Sequence, residues 1–272
     1  MKMMSLGDIV SRLLANQNTG AELKYRHEYD KRENPEQNVT ANFLTAKNTR
    51  RLRATITSRG ENDMATALFH DGFVTTKRGG RLFTMIHVMV LSYTPQKRYK
   101  DEYLIQLCIL PGKKKPASFV SYLSVILADL HYLSLYGMVL KMPDNQIIRS
   151  KVHYLDFGGG TLGVFEFSRA AYHSSVLVCQ TCYIRGVHFD NRSHGMYFPD
   201  SNALLQTRQD YLEDDPDLGF LGRSILTQFD VFVGGPQSLV FDELQTPGRG
   251  VSSELYRMLT VSLAPSNIKF FY

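Results

Sequence analysis

Between residues 66 and 112 three β-rich runs follow one another, TALFHDGFVTT, RLFTMIHVMVLSY and DEYLIQLCILPG, joined by KRGG and TPQKRYK. Connections that short join neighbouring antiparallel strands. After the Pro-bounded PGKKKP the period changes to that of a helix. In SFVSYLSVILADLHYLSLYG, Phe119, Leu123, Ile126, Leu127 and Leu130 share one face, and Gly137 supplies a stop. A further strand, QIIRSKVHYLDF, is read as ending on Asp156 ahead of GGG. Meander, helix and acid-bearing strand together predict an α/β chain with a mixed sheet.

That order is the opening half of the ribonuclease H-like fold, in which acids on the first and fourth strands sit side by side. The first run contains such an acid, Asp71, in FHDGF. Two readings of it stay open: Asp71-Gly72 is a hairpin turn, or the carboxylate is displayed on a strand because chemistry needs it there. Asp156 likewise reads either as a site acid or as the cap of a following helix. Ahead of the sheet, SLGDIVSRLLAN places Ile9, Val10, Leu13 and Leu14 on one helical face behind a Ser cap. The division this predicts is a helical, basic N-terminal arm over 1–58 and a sheet core over 59–176. A Cys/His segment over 177–215 and a C-terminal segment over 216–272, an incomplete remainder of the core, follow.

A chain of 272 residues with 43% hydrophobic residues can build a sizeable core. Its longest apolar runs, FTMIHVMVL and YLIQLCIL, fall far short of the roughly 20 residues a bilayer requires, so no membrane association is expected. With no charged-then-apolar opening segment, a soluble, intracellular chain is expected. The net charge of +5 is unevenly spread. Basic clusters at KNTRRLR, KRGGR, QKRYK and GKKK single out Lys77, Arg78, Arg81, Lys97, Arg98, Lys100, Lys113, Lys114 and Lys115 as candidates for contact with DNA, while acids gather in YLEDDPD. Each cluster by itself reads first as a solvated loop end, and it is several together beside one site that point to nucleic acid.

Three cysteines cannot make a disulfide framework. Cys108 in QLCIL reads as core. CQTCYIRGVHFDNRSH sets Cys179, Cys182, His188 and His194 at a spacing that suits tetrahedral Zn²⁺, since thiolate and imidazole are its preferred ligands. The alternative is two reduced thiols and two surface histidines.

Five pieces taken in order, HDGFVTT, the run from LSYTPQKRYK to SVILADL, HYLDFGGGTLGVFEFS, CQTCYI and SHGMYFP, resemble the core of CACTA-type (En/Spm) DNA transposases. The resemblance covers about residues 60 to 210. It implies a ribonuclease H-like core with a zinc-knuckle-like insertion, Asp71 and Asp156 as the first two acids of a catalytic triad, and Mg²⁺ or Mn²⁺ as the ions they hold. It also implies DNA as partner, self-association, and a nuclear location. Carboxylates suit such hard ions, and two ions about 4 Å apart drive phosphodiester cleavage and strand transfer. The sequence departs from the family in three places. Gly158 and Gly159 replace Pro-Ala, Gln245 replaces the His of an Asp-x-x-His motif that begins at Asp242, and the third acid has no counterpart up to Tyr272. Glu243 and Glu254 are the nearest substitutes and neither fits the pattern. The expectation is therefore a truncated or inactive transposase core, or a co-opted DNA-binding protein that keeps the fold.

Overall fold

The computed structural model describes residues 4–31, 60–74, 82–112, 119–171, 175–188, 196–200, 202–228 and 235–240, with Ser252, Leu255 to Arg257 and Thr260. The three β-rich runs form β1 (Met64–Val74), β2 (Leu82–Val90) and β3 (Leu104–Gly112), each antiparallel to the next. Helix α4 (Phe119–Leu135) follows, buried along Leu123, Ile126, Leu127, Leu130 and Leu133. Full burial of side chains of this kind contributes roughly 1.5–3 kcal/mol each, so this one helix face is a main source of the fold's stability.

The stretch predicted as one strand before Asp156 is two. β4 (Met138–Lys141) and β5 (Ile147–Ser150) pair only with each other, and the chain then enters β6 (Val152–Gly159). The break falls at Lys151, whose N–H is captured by Asp63 Oδ1 at 2.9 Å, while Ser150 Oγ donates to the Asn62 carbonyl at 2.7 Å. β6 lies parallel to β1, and β7 (Leu239–Val240) lies parallel to β6, so the sheet order is β3-β2-β1-β6-β7. Gly137 ends α4 at φ 69°, a left-handed turn that lets β4 start at once.

The N-terminal helices are not a separate arm. Leu6, Val10 and Leu14 of α1 (Leu6–Ala15) and Leu23 of α2 (Gln17–Leu23) join the same buried cluster as Met64, Leu68, Ile86 and Phe157 of the sheet. α3 (Tyr25–Asp30) carries a buried Arg26 against the start of β1. α5 (Thr161–Ser168) follows β6 and adds Val164 and Phe167 to that cluster, and Tyr211 of α6 (Arg208–Glu213) completes it on the C-terminal side. Cys108 is buried in it, as predicted. The opposite face of the sheet holds a second, smaller apolar group of Ala65, Ala67, Leu91 and Leu155, with Phe69 and Met89 against it. Among the described residues no helix is long and apolar enough to cross a membrane.

Candidate functional site

Strand alternation sorts β1 into two sets. Met64, Leu68 and the buried His70 point to the helix-covered side, where His70 packs on Phe119 and Phe167 at ring distances of 4.3 and 5.4 Å. Ala67, Phe69 and Asp71 point to the other. Asp71 pairs with Met85 and Gly72 with Thr84 inside the antiparallel ladder, so Asp71-Gly72 is strand and the turn reading is overturned. The Asp71 side chain is exposed and its Oδ1 accepts the Gly72 N–H at 2.8 Å.

Asp156 also lies inside a strand, with Gly158 and Gly159 continuing β6 beyond it, and Gly160 is the residue that precedes α5. The helix-cap reading therefore falls too. A bulge decides which way Asp156 faces. Thr66 pairs with Tyr154 but Ala67 pairs with Asp156, so Leu155 is the extra residue. Without the bulge Asp156 would lie opposite Leu68 and point into the main core. With it, the carboxylate shares the face of Ala67. Burial alone pushes its pKa up to about 7.

Between the two acids along this face lies an aromatic pair. Phe69 stacks on His87 of β2 with ring centroids 5.5 Å apart and planes within 10°. The Phe69 ring lies over Gly158, where any side chain would collide with it. His87 is pushed down by burial, with the Asp71 charge pulling the other way. Sequence reading did not single out Phe69 or His87. The signal available was the alternation Ala67, Phe69, Asp71, which becomes informative only once the strand is known to run through Asp71.

Asp71 and Asp156 are thus on adjacent parallel strands and on one face, but they are not level. The pairs Ala67 with Asp156, Phe69 with Gly158 and His70 with Gly159 set Gly160 opposite Asp71, four residues past Asp156. At about 3.3 Å per residue that is roughly 13 Å along the strands. Two oxygens on one Mg²⁺ lie about 2.1 Å from it, hence within about 4 Å of each other, so these two carboxylates do not fit a shared ion. Among the described residues no group of three or more His, Cys, Asp or Glu stands close enough to hold a metal. Asp242, Glu243, Gln245 and Glu254 lie outside the described residues.

Of the basic candidates, Lys77, Arg78, Arg81, Lys113, Lys114 and Lys115 also lie outside them. Lys100 is exposed, and Lys97 pairs with Glu22 at 2.6 Å and stands 5.6 Å from the Tyr103 ring centroid. Arg98 is a correction. It is 0% exposed and spends Nε and Nη2 on the Tyr93 carbonyl at 3.1 and 2.7 Å, so it ties down the chain between β2 and β3 and cannot reach a phosphate.

Cys179 and Cys182 stand on one half-buried loop whose backbone is held by Gln206, its Nε2 donating to the Cys179 carbonyl at 3.1 Å. Burial pushes the Cys179 thiol up. The Thr181 hydroxyl and N–H, at 3.3 and 3.4 Å, together with Cys182 outweigh that and leave it below its ordinary value. Burial pushes Cys182 up. His188 is exposed next to the Val187–Tyr197 bridge and does not join the thiols in a group of three, and His194 lies outside the described residues. The pair therefore fits half of a zinc site. No protein-family model matches the chain, and no curated protein matches it.

Proposed function

We propose that this chain is a transposase-derived, DNA-binding protein on a ribonuclease H-like sheet, similar to the CACTA-type core, that holds DNA without cutting it. The observation that carries the reading is the strand order β3-β2-β1-β6-β7, antiparallel through β1 and parallel beyond it, with an acid on each of the two strands β1 and β6 and on one face. The resemblance implies acids side by side on two such strands; the shared face supports the reading, and the difference in level departs from it.

The register argues against turnover. Where a level partner for Asp71 is needed, the chain has Gly160, and the carboxylate it does have is four residues away. Ions that activate a nucleophile and stabilise a leaving oxygen need ligands from both strands at once. Burial, which raises the pKa of Asp156, also makes its carboxylate harder to ionise, which weakens it further as a ligand for a hard cation. This favours a co-opted protein that keeps the sheet, DNA affinity and a nuclear location over an active enzyme. On the same reading Cys179 and Cys182 bind Zn²⁺, with His194 as the ligand the resemblance supports.

The experiment is a nicking assay on supercoiled DNA with Mg²⁺ or Mn²⁺, beside an Asp71→Ala control, together with DNA retention as a function of salt. Retention that falls steeply with salt, without nicking, is the expected result. Nicking abolished in the control restores the enzyme, and no retention even at low salt removes the DNA reading. Elemental analysis of the purified protein, and of a Cys179→Ser, Cys182→Ser variant, checks the zinc assignment.

A further inference from the structure

Strands β4 and β5 make a ribbon with one covered face and one open one. Met138, Leu140 and Ile148 pack against the main core, while Val139, Lys141, Ile147 and Arg149 alternate with them and are exposed, Val139 opposite Arg149 and Lys141 opposite Ile147. The open face carries two cations and no carboxylate. Among the described residues neither Lys141 nor Arg149 is in an ion pair, whereas Lys24 and Lys97 are held by Glu61 and Glu22. Asp144 lies in the turn of the ribbon, where its Oδ1 accepts the Gln146 N–H at 3.0 Å. Just ahead of β4, one helical turn apart, Tyr132 and Tyr136 are 57% and 73% exposed, with ring centroids 5.0 Å from each other. Gly137 turns the chain at once into β4, so Tyr136 and Val139 are three residues, at most about 11 Å, apart. Two aromatic rings and two cations therefore border one another on the surface.

We propose that this surface, the open face of the β4–β5 ribbon together with Tyr132 and Tyr136, binds single-stranded DNA. This rests on the DNA-binding reading and names, within it, the contact surface and the form of DNA held. Phosphates need cations that no carboxylate has claimed, and Lys141 and Arg149 are such cations. Stacking needs an aromatic face open to solvent and a base face open to it in return. The tyrosines offer the first. A single strand offers the second, whereas a duplex closes its base faces against one another and could use the cations but not the rings. Val139 and Ile147, set between the cations on the same face, add apolar surface for an unstacked base. None of these residues belongs to the basic clusters singled out in the sequence, because strand pairing alone brings Lys141 and Arg149 to one face.

Fluorescence anisotropy of the full chain tests it, with a labelled mixed-sequence DNA strand of about 20 nucleotides and with the same strand paired to its complement. The expected result is binding about tenfold tighter to the single strand, weakened about tenfold in Tyr136→Ala and kept in Tyr136→Phe, at unchanged helix content and unfolding midpoint. Replacing both cations, Lys141→Gln with Arg149→Gln, is expected to flatten the slope of log affinity against log salt by about 1.4, since each phosphate contact on a single strand contributes about 0.7. Equal affinity for strand and duplex overturns the proposal and leaves the DNA-binding reading standing, as does a preference for the strand that none of these variants alters. No binding of either form at low salt removes both. Binding to phosphatidylcholine vesicles containing phosphatidylserine, lost in the same variants, overturns it in favour of an anionic lipid surface.

Discussion

The β1–β6 pair has one carboxylate at its start and another midway along it, and the two positions treat it oppositely. At the start, Asp63 is buried and fully engaged. Its Oδ2 accepts the Gly60 N–H at 2.8 Å and its Oδ1 the Lys151 N–H at 2.9 Å, with His153 Nε2 at 3.7 Å, an ion-pair and not a hydrogen-bond distance. Buried Arg26 closes the group by donating to the carbonyls of Asp63 and Gly60 at 3.3 and 2.7 Å. Burial alone would raise the Asp63 pKa, but His153 and the two backbone N–H groups outweigh it and hold it below the usual value. Farther along, Asp156 is half-buried yet has no donor among the described residues, and its pKa goes up to about 7. One acid staples three segments together. The other is a cost to folding, of the kind kept where a carboxylate serves something besides folding.

The largest effect that can break this contrast is at Asp63. Asp63→Ala leaves the part-buried N–H groups of Gly60 and Lys151 without their acceptor, while the carbonyls that Arg26 holds stay in place, and it is expected to lose about 3–4 kcal/mol, read from denaturant midpoints. Because the folded pKa is depressed, Asp63's contribution is present above about pH 4 and disappears as pH falls through the folded value. The loss on mutation should accordingly shrink in acid. A loss below about 1 kcal/mol at pH 7 would show that the staple is not structural.

Asp156 should respond with the opposite sign. A raised folded pKa means the folded state keeps its proton while the unfolded state releases it between about pH 4 and 7, so stability declines through that window and stays reduced above it. Asp156→Asn removes the penalty. It is expected to stabilise by about 2–3 kcal/mol at pH 8, allowing for partial solvent contact, and to change little at pH 4. A destabilised variant at pH 8 would mean that Asp156 has a partner outside the described residues.

Much of the frame around these acids was legible. Two short links between the β-rich runs, KRGG and TPQKRYK, gave the meander, and leucines at helical spacing gave α4, because both patterns are local. The break between β5 and β6 was not, since it depends on Asp63 capturing a backbone N–H 88 residues away. The β4–β5 hairpin did leave a signal, Pro-Asp-Asn between VLK and QII, with Asn145 at φ 67° in the turn, and it went unused. Arg98 looked like its neighbours in QKRYK, and only tertiary packing on the Tyr93 carbonyl sets it apart. At the site, the residue types and the shared sheet face were readable. The four-residue offset was not, because register and the bulge at Leu155 arise from strand pairing and leave no mark on either strand's own sequence.

The smallest expected effect is at Asp71, and it sharpens the contrast most. Exposed, and among the described residues accepting only the N–H of the next residue, Asp71 does nothing for folding that asparagine would not do. Asp71→Asn should shift stability by no more than about 0.5 kcal/mol. The informative measurement is therefore thermal unfolding in the presence and absence of millimolar Mn²⁺. Acids four residues out of register do not hold one ion together, so neither the parent nor the Asp71→Asn variant is expected to gain stability from the metal. A gain in the parent that disappears in both Asp71→Asn and Asp156→Asn would mean that the two carboxylates do converge on an ion. It would also mean that the strands slip to bring them level, and the chain would then have to be read as a metal-dependent nuclease.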